Sequence, residues 1–105
     1  MFRVKQIHIN SRIAWSRLEG LPITERRRKI LEYYAWAGKP MTDREAKAGM
    51  GFDDMNQVRP RITELVKMNA LIEHSHIKDK MTKTMVRTCK VNPAILETAQ
   101  TDLFD

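Results

Sequence analysis

Apolar residues recur at helical spacing between Thr24 and Ala70 and give way to β-like stretches from Leu71 onward. Thr24 opens the segment "TERRRKILEYYAWAG", in which Ile30, Leu31, Tyr34 and Ala37 form one stripe; Gly38 and Pro40 end it. Thr42 and Glu45 then stand at capping-box spacing, where each side chain satisfies the other residue's backbone N–H. They predict a short helix over 42–48, with Gly49 and Gly51 bracketing a turn. Val58, Ile62, Leu65 and Val66 fall on one side of a third helix. Pro60 fits that helix only near its start, because an interior proline costs about 3 kcal/mol. With Asn56 as the cap, Pro60 lies about one turn in, and Asp53 and Asp54 occupy the connecting turn. Beyond it, "LIEHSHIK" and "TMVRTCKV" are separated by the turn-like "DKMTK" and read as a hairpin.

The flanks are weaker in pattern. Residues 1–9 alternate loosely and fit a short strand. Asn10 reads as the cap of a helix "SRIAWSRLE" that stops at Gly20. Asn92 and Pro93 suit the cap and first position of a short helix "AILETA". The expected organisation is one domain over 1–91, including an N-terminal extension, followed by a short helix and acidic tail over 92–105.

Helix, short helix, tight turn, helix, hairpin is the order of the winged helix-turn-helix plan, mainly α with a small β-hairpin (α+β). In that plan the second helix of the pair offers its outer face to the major groove of DNA, and the hairpin tip lies along the backbone or minor groove. Turning by about 100° per residue around Val58, Ile62 and Leu65 places Asn56, Gln57, Pro60, Thr63, Glu64 and Lys67 outward. Arg59 and Arg61 lie on the flanks. Asn, Gln and Arg bond base edges in pairs, whereas Lys and Thr suit phosphates or single edges. Arg44, on the preceding helix, is grouped with these candidates. Lys78, Lys80 and Lys83 crowd the hairpin turn, where three ammonium groups repel one another unless an anion is near. The plain alternative is a solvated helix face and an ordinary exposed loop.

Charge strengthens the first reading. The chain carries 19 basic and 13 acidic residues; residues 92–105 have no Lys or Arg, so residues 1–91 hold 19 basic against 10 acidic residues, a net of +9. A body this positive attracts polyanions, nucleic acid foremost. The four consecutive cations Arg26 to Lys29 sit unfavourably near a helix start, a small hint of a phosphate-facing role. No apolar run is long enough to span a bilayer, the start lacks a signal-peptide pattern, and one cysteine, Cys89, makes no internal disulfide. A cytoplasmic protein with no membrane partner is expected.

The stretch "MTDREAKAGMGFDDMNQVRPRITELVKMNALIE" resembles winged-helix proteins common in bacteriophage and prophage genomes. The matching positions are Thr42 to Glu45, Gly51, Asn56, Val58, Pro60, Arg61, Thr63 to Val66, Leu71 and Ile72. The resemblance covers residues 24–91 at most and implies DNA binding in phage replication or its regulation, within the host bacterial cytoplasm. Such proteins tend to carry a compact Cys-Pro-x-Thr-Gly turn in the wing; this chain has "KDKMTKTMVRTC", so wing contacts do not carry over.

Other chemistry finds little support. His74, His76 and Cys89 could approach one another across the hairpin, yet no CxxC or HxxxH spacing accompanies them and a fourth zinc ligand is missing. Cys89 lacks a partnered base, no glycine-rich phosphate loop is present, and neither enzymatic activity nor a cofactor or metal is expected. The tail "QTDLF" resembles the peptide by which bacterial replication and repair proteins dock on the sliding clamp. Gln100, Asp102, Leu103 and Phe104 match, with Thr101 where Leu is common. Such a motif inserts apolar side chains into a preformed groove while a polar residue fixes register. Alternatively, Leu103 and Phe104 pack on the domain or on a dimer mate. Two further readings stay open: a repressor homodimer, and an interaction module that binds or inhibits a host replication protein.

Overall fold

Two side-chain caps and two glycines set the limits of the first two helices. In the computed structural model, which describes residues 12–97, helix α1 spans Glu25–Ala37. Thr24 Oγ1 accepts the Arg27 N–H, and Gly38, left-handed with φ 68°, donates its own N–H to the Tyr34 carbonyl. A two-residue strand β1, Met41–Thr42, runs directly into helix α2, Asp43–Met50. The capping box forms as expected: Thr42 N–H donates to Glu45 Oε1 at 2.9 Å, and Glu45 N–H to Thr42 Oγ1 at 3.1 Å. The helix continues past Gly49 and stops at Gly51, whose left-handed φ of 79° favours glycine. Gly49 is there for space instead: a Cβ would lie 1.8 Å from the Tyr33 hydroxyl oxygen.

Helix α3 is Arg59–Lys67, one residue after a 3-10 segment at Met55–Gln57. Asn56 is not the cap. Asp54 Oδ1 accepts the Asn56 N–H at 2.9 Å, and the chain enters α3 through Val58 with no side-chain cap. Either residue has the right chemistry; the 3-10 turn takes up the three residues between Asp54 and Val58. Pro60 sits in the first turn of α3, where its missing N–H has no helical partner to lose.

Strands β2 (Leu71–Lys78) and β3 (Met85–Val91) form the hairpin, and the antiparallel sheet has the order β1-β3-β2. Strand β1 was not foreseen from the pattern. Met41 pairs with Cys89 and Thr42 with Thr88, so the residue that caps α2 also joins the sheet. This link matters because an isolated two-stranded hairpin is only marginally stable. A bulge between Glu73 and Ser75 breaks the alternation of β2.

The flanks form no regular helices among the described residues. The helix expected over "SRIAWSRLE" reduces to a 3-10 turn at Trp15–Leu18, and "AILETA" to a 3-10 turn at Pro93–Ile95 capped by Asn92. Their backbone groups pair with each other instead: Ala14 N–H donates to Ile95 O at 2.8 Å, Glu97 N–H to Arg12 O at 2.9 Å, and Ile13 bridges Leu96. The strand expected over 1–9 and its neighbour Asn10 lie outside the described residues, as does the tail from residue 98.

One apolar cluster joins these parts. Ile30, Leu31 and Tyr34 of α1 meet Ala46 of α2, Ile62 and Leu65 of α3, and Leu71 and Cys89 of the sheet, all nearly or wholly buried. Each fully buried Leu or Ile contributes about 1.5–3 kcal/mol. The Tyr34 hydroxyl is buried in this cluster with no hydrogen-bond partner among the described residues, and burial raises its pKa well above the ordinary phenol value. No helix among the described residues is long and apolar enough to cross a membrane.

Candidate nucleic-acid interface

The entry to α3 is the open end of the helix pair. Asn56, Gln57, Arg59 and Pro60 are exposed there, because Val58 and Ile62 turn the opposite side fully into the core. No side chain among the described residues holds the Asn56 or Gln57 amides. The outward ridge is shorter than the periodicity suggests. Lys67 is exposed at the far end, but Arg61, Thr63 and Glu64 between them are half-buried. Thr63 Oγ1 accepts from Arg87 Nη2 at 2.9 Å, and Glu64 accepts from Arg61 Nε at 2.8 Å and Arg27 Nε at 3.0 Å. Those hydrogen bonds, from Arg61 first and then Arg27, hold the Glu64 carboxyl below its usual range.

Under this ridge lies a charge network that the sequence reading missed. Asp43, the first residue of α2, is buried, and its carboxylate takes Arg87 Nε at 3.3 Å and Nη2 at 3.1 Å. Arg59 Nε stands 3.4 Å from the same carboxylate, and Arg87 Nη1 lies 3.7 Å from Glu73. Burial works against charge on Arg87, but the hydrogen bond and the charge of Asp43 outweigh it and raise its pKa. A largely buried pair of this kind fixes geometry: it ties α2, α3 and β3 together partway along the hairpin. An acid directly after the cap of a strong capping box was the available signal, but its partner is 44 residues away.

The hairpin tip is tied to α2 separately. Asp79 Oδ2 accepts from Arg44 Nε at 3.2 Å, and its Oδ1 accepts the Met81 N–H at 3.0 Å. The Met81 N–H, and then the Arg44 side chain, hold the Asp79 carboxyl below its usual range despite partial burial. Between α2, α3 and the tip runs a groove of about 550 Å³, lined among others by Arg44, Arg59, Thr82, Thr84 and Met85. Lys78 and Lys80 on one side of the turn and Lys83 on the other are exposed and make no ion pair with any described residue.

The sequence candidates therefore divide. Asn56, Gln57, Lys67, Lys78, Lys80 and Lys83 stand open. Arg44, Arg59 and Arg61 reach the same surface already paired with Asp79, Asp43 and Glu64. The basic run on α1 is engaged throughout: Arg26 over the Phe52 ring, Arg27 on Glu64 and the Pro22 carbonyl, Arg28 over Trp15 and beside Glu32, Lys29 beside Glu25. Arg26, Arg28 and Lys29 remain exposed, but each already has one of these partners, so the hint of a phosphate-facing role for that run gains no support.

The bulge places His74 beside Ser75 and leaves His76 4.0 Å from Glu73, while Cys89 is buried and its thiol is pushed by burial up to about 11. Among the described residues no three His, Cys, Asp or Glu side chains are grouped to hold a metal ion. Gln100, Asp102, Leu103 and Phe104 lie outside the described residues. Comparison of the chain with family models, curated proteins and solved structures yields no match.

Proposed function

We propose that this chain is a winged helix-turn-helix protein that binds double-stranded DNA without catalysing a reaction. One observation carries the reading. The exposed side-chain amides of Asn56 and Gln57 stand at the open end of α3 and Lys78, Lys80 and Lys83 on a hairpin tip tied to the neighbouring helix, all without side-chain partners among the described residues. Amide side chains of that kind read adenine edges, and unpaired ammonium groups grip phosphates. The element order supports the winged-helix assignment, with β2–β3 as the wing. The resemblance over Thr42–Ile72 extends the proposal to a phage-encoded protein acting in replication or its regulation in the bacterial cytoplasm. Attachment to the sliding clamp through Gln100, Asp102, Leu103 and Phe104 would add a second weak link to the same DNA.

A gel shift on duplex DNA across a salt series tests the reading. With Lys67, Lys78, Lys80 and Lys83 open on the proposed interface, the logarithm of affinity should fall with the logarithm of salt at a slope of about −3 to −4. Absence of binding at low salt, or binding indifferent to salt, contradicts it. Retention on clamp resin should be lost on Leu103→Ala with Phe104→Ala; equal retention of both forms removes the clamp.

A further inference from the structure

The most exposed large apolar side chain among the described residues stands at the tip of the hairpin. Met81 keeps 75 % of its surface open, and Met85 and Ile77, further down the two strands, keep 64 % and 44 %. Single exposed apolar residues are ordinary. These three are instead gathered at one end of the molecule, among Lys78, Lys80 and Lys83.

The turn that presents Met81 is closed by several bonds. Asp79 N–H donates to Thr84 O at 2.8 Å, Lys83 N–H to Asp79 O at 2.8 Å, and Met81 N–H to Asp79 Oδ1 at 3.0 Å. Lys83 adopts the left-handed conformation, φ 63°, that closes such turns, and Arg44 on α2 holds the second Asp79 oxygen. The backbone of the tip is therefore shaped before any partner arrives, so little ordering opposes binding there.

A partner for this tip must offer an apolar slot between two rows of negative charge. A protein pocket would need an acidic rim built to match. A DNA minor groove carries phosphates along each edge by construction, and the stacked steps along its floor can open to admit an apolar wedge. Methionine is among the side chains that proteins insert as wedges between base steps, partly unstacking them and bending the duplex. We infer that Met81 is such a wedge, entering the minor groove between phosphates held by Lys80 and Lys83 and bending the DNA at that point. The inference rests on the proposed DNA binding and adds a deformation of the duplex to it. Because pyrimidine–purine steps unstack most easily, the wedge favours TpA.

The test uses the full chain and a duplex of about 30 base pairs, long enough for a bend to register, with a fluorophore at each end and 2-aminopurine beside a central TpA step. The wild-type chain should shorten the end-to-end distance and raise 2-aminopurine emission. Met81→Ala changes an exposed side chain and leaves the fold intact. It should bind about 3- to 10-fold more weakly with an unchanged salt slope, and without bending. Lys80→Ala with Lys83→Ala should instead lower the salt slope. A wild-type complex with a straight duplex, or a Met81→Ala complex as bent as wild type, overturns the wedge and leaves DNA binding standing. No binding of either protein at low salt removes both.

Discussion

The chain has two dense groups of cations, and the fold treats them oppositely. Arg26 to Lys29 on α1 each meet an acidic, carbonyl or aromatic partner within the same chain. Lys78, Lys80 and Lys83 on the hairpin meet no acid among the described residues and remain exposed. In the sequence the two groups look alike, and the α1 run is the denser. The difference is where the elements carrying them land. Helix α1 packs against α3 and against the turns that hold Trp15 and Phe52, so its arginines find partners nearby. The hairpin tip extends beyond the core, where the nearest carboxylate, Asp79, is already taken by Arg44 and the Met81 N–H. A cation the fold has partnered adds shape; one it leaves open adds affinity for anions.

The largest effect should come from the open group. Replacing Lys78, Lys80 and Lys83 together by Ala should weaken DNA binding at low salt by about two orders of magnitude and reduce the salt slope by about 3. The thermal midpoint should stay unchanged, because no contact within the chain is lost. Filter binding across salt concentrations, with a parallel melt, checks both halves. Next in size, Asn56→Ala with Gln57→Ala should leave the salt slope alone and flatten preference among duplex sequences, each lost base contact being worth about 1–3 kcal/mol of discrimination. Selection from a random duplex pool reads that preference.

Arg27→Ala is the matching change in the engaged group. It should lower the melting temperature while leaving DNA affinity within about twofold, because Arg27 faces Glu64 and not the open surface. Its penalty should depend on pH. The folded state holds the Glu64 carboxyl below its ordinary value of 4.5, so the stability from its pairing is present above that value and fades as pH falls through the lowered one. Melts of wild type and variant should therefore differ at neutral pH and converge in acid. The smallest change is expected from Tyr34→Phe, which removes a buried hydroxyl that has no partner among the described residues. A neutral or slightly raised melting temperature is expected, since an unmade buried hydrogen bond costs about 1–3 kcal/mol. A clear drop would mean the hydroxyl is satisfied in solution.

Features set by neighbouring residues were legible before the structure. The Thr24 cap, the Thr42–Glu45 box and the hairpin bounds at Leu71–Lys78 all follow from residues a few positions apart. Features set by distant residues were not. Strand β1 exists only because Met41 and Thr42 find Cys89 and Thr88, and the flanking segments exchanged expected helix bonds for pairing between Ile13 and Leu96. The site divides in the same way. Helical periodicity placed Asn56 and Gln57 outward. The burial of Asp43 and the inward bond of Thr63 depend on Arg87, which lies 44 and 24 residues further along the chain.

The most direct measurement is a titration of the isotopically labelled chain with duplex DNA, followed by amide resonances. Shifts should concentrate on residues 56–61 and 78–85, with residues 26–29 nearly still. Shifts centred on the α1 arginines, or none at the entry to α3, would contradict the claim that the open amides and lysines form the binding face.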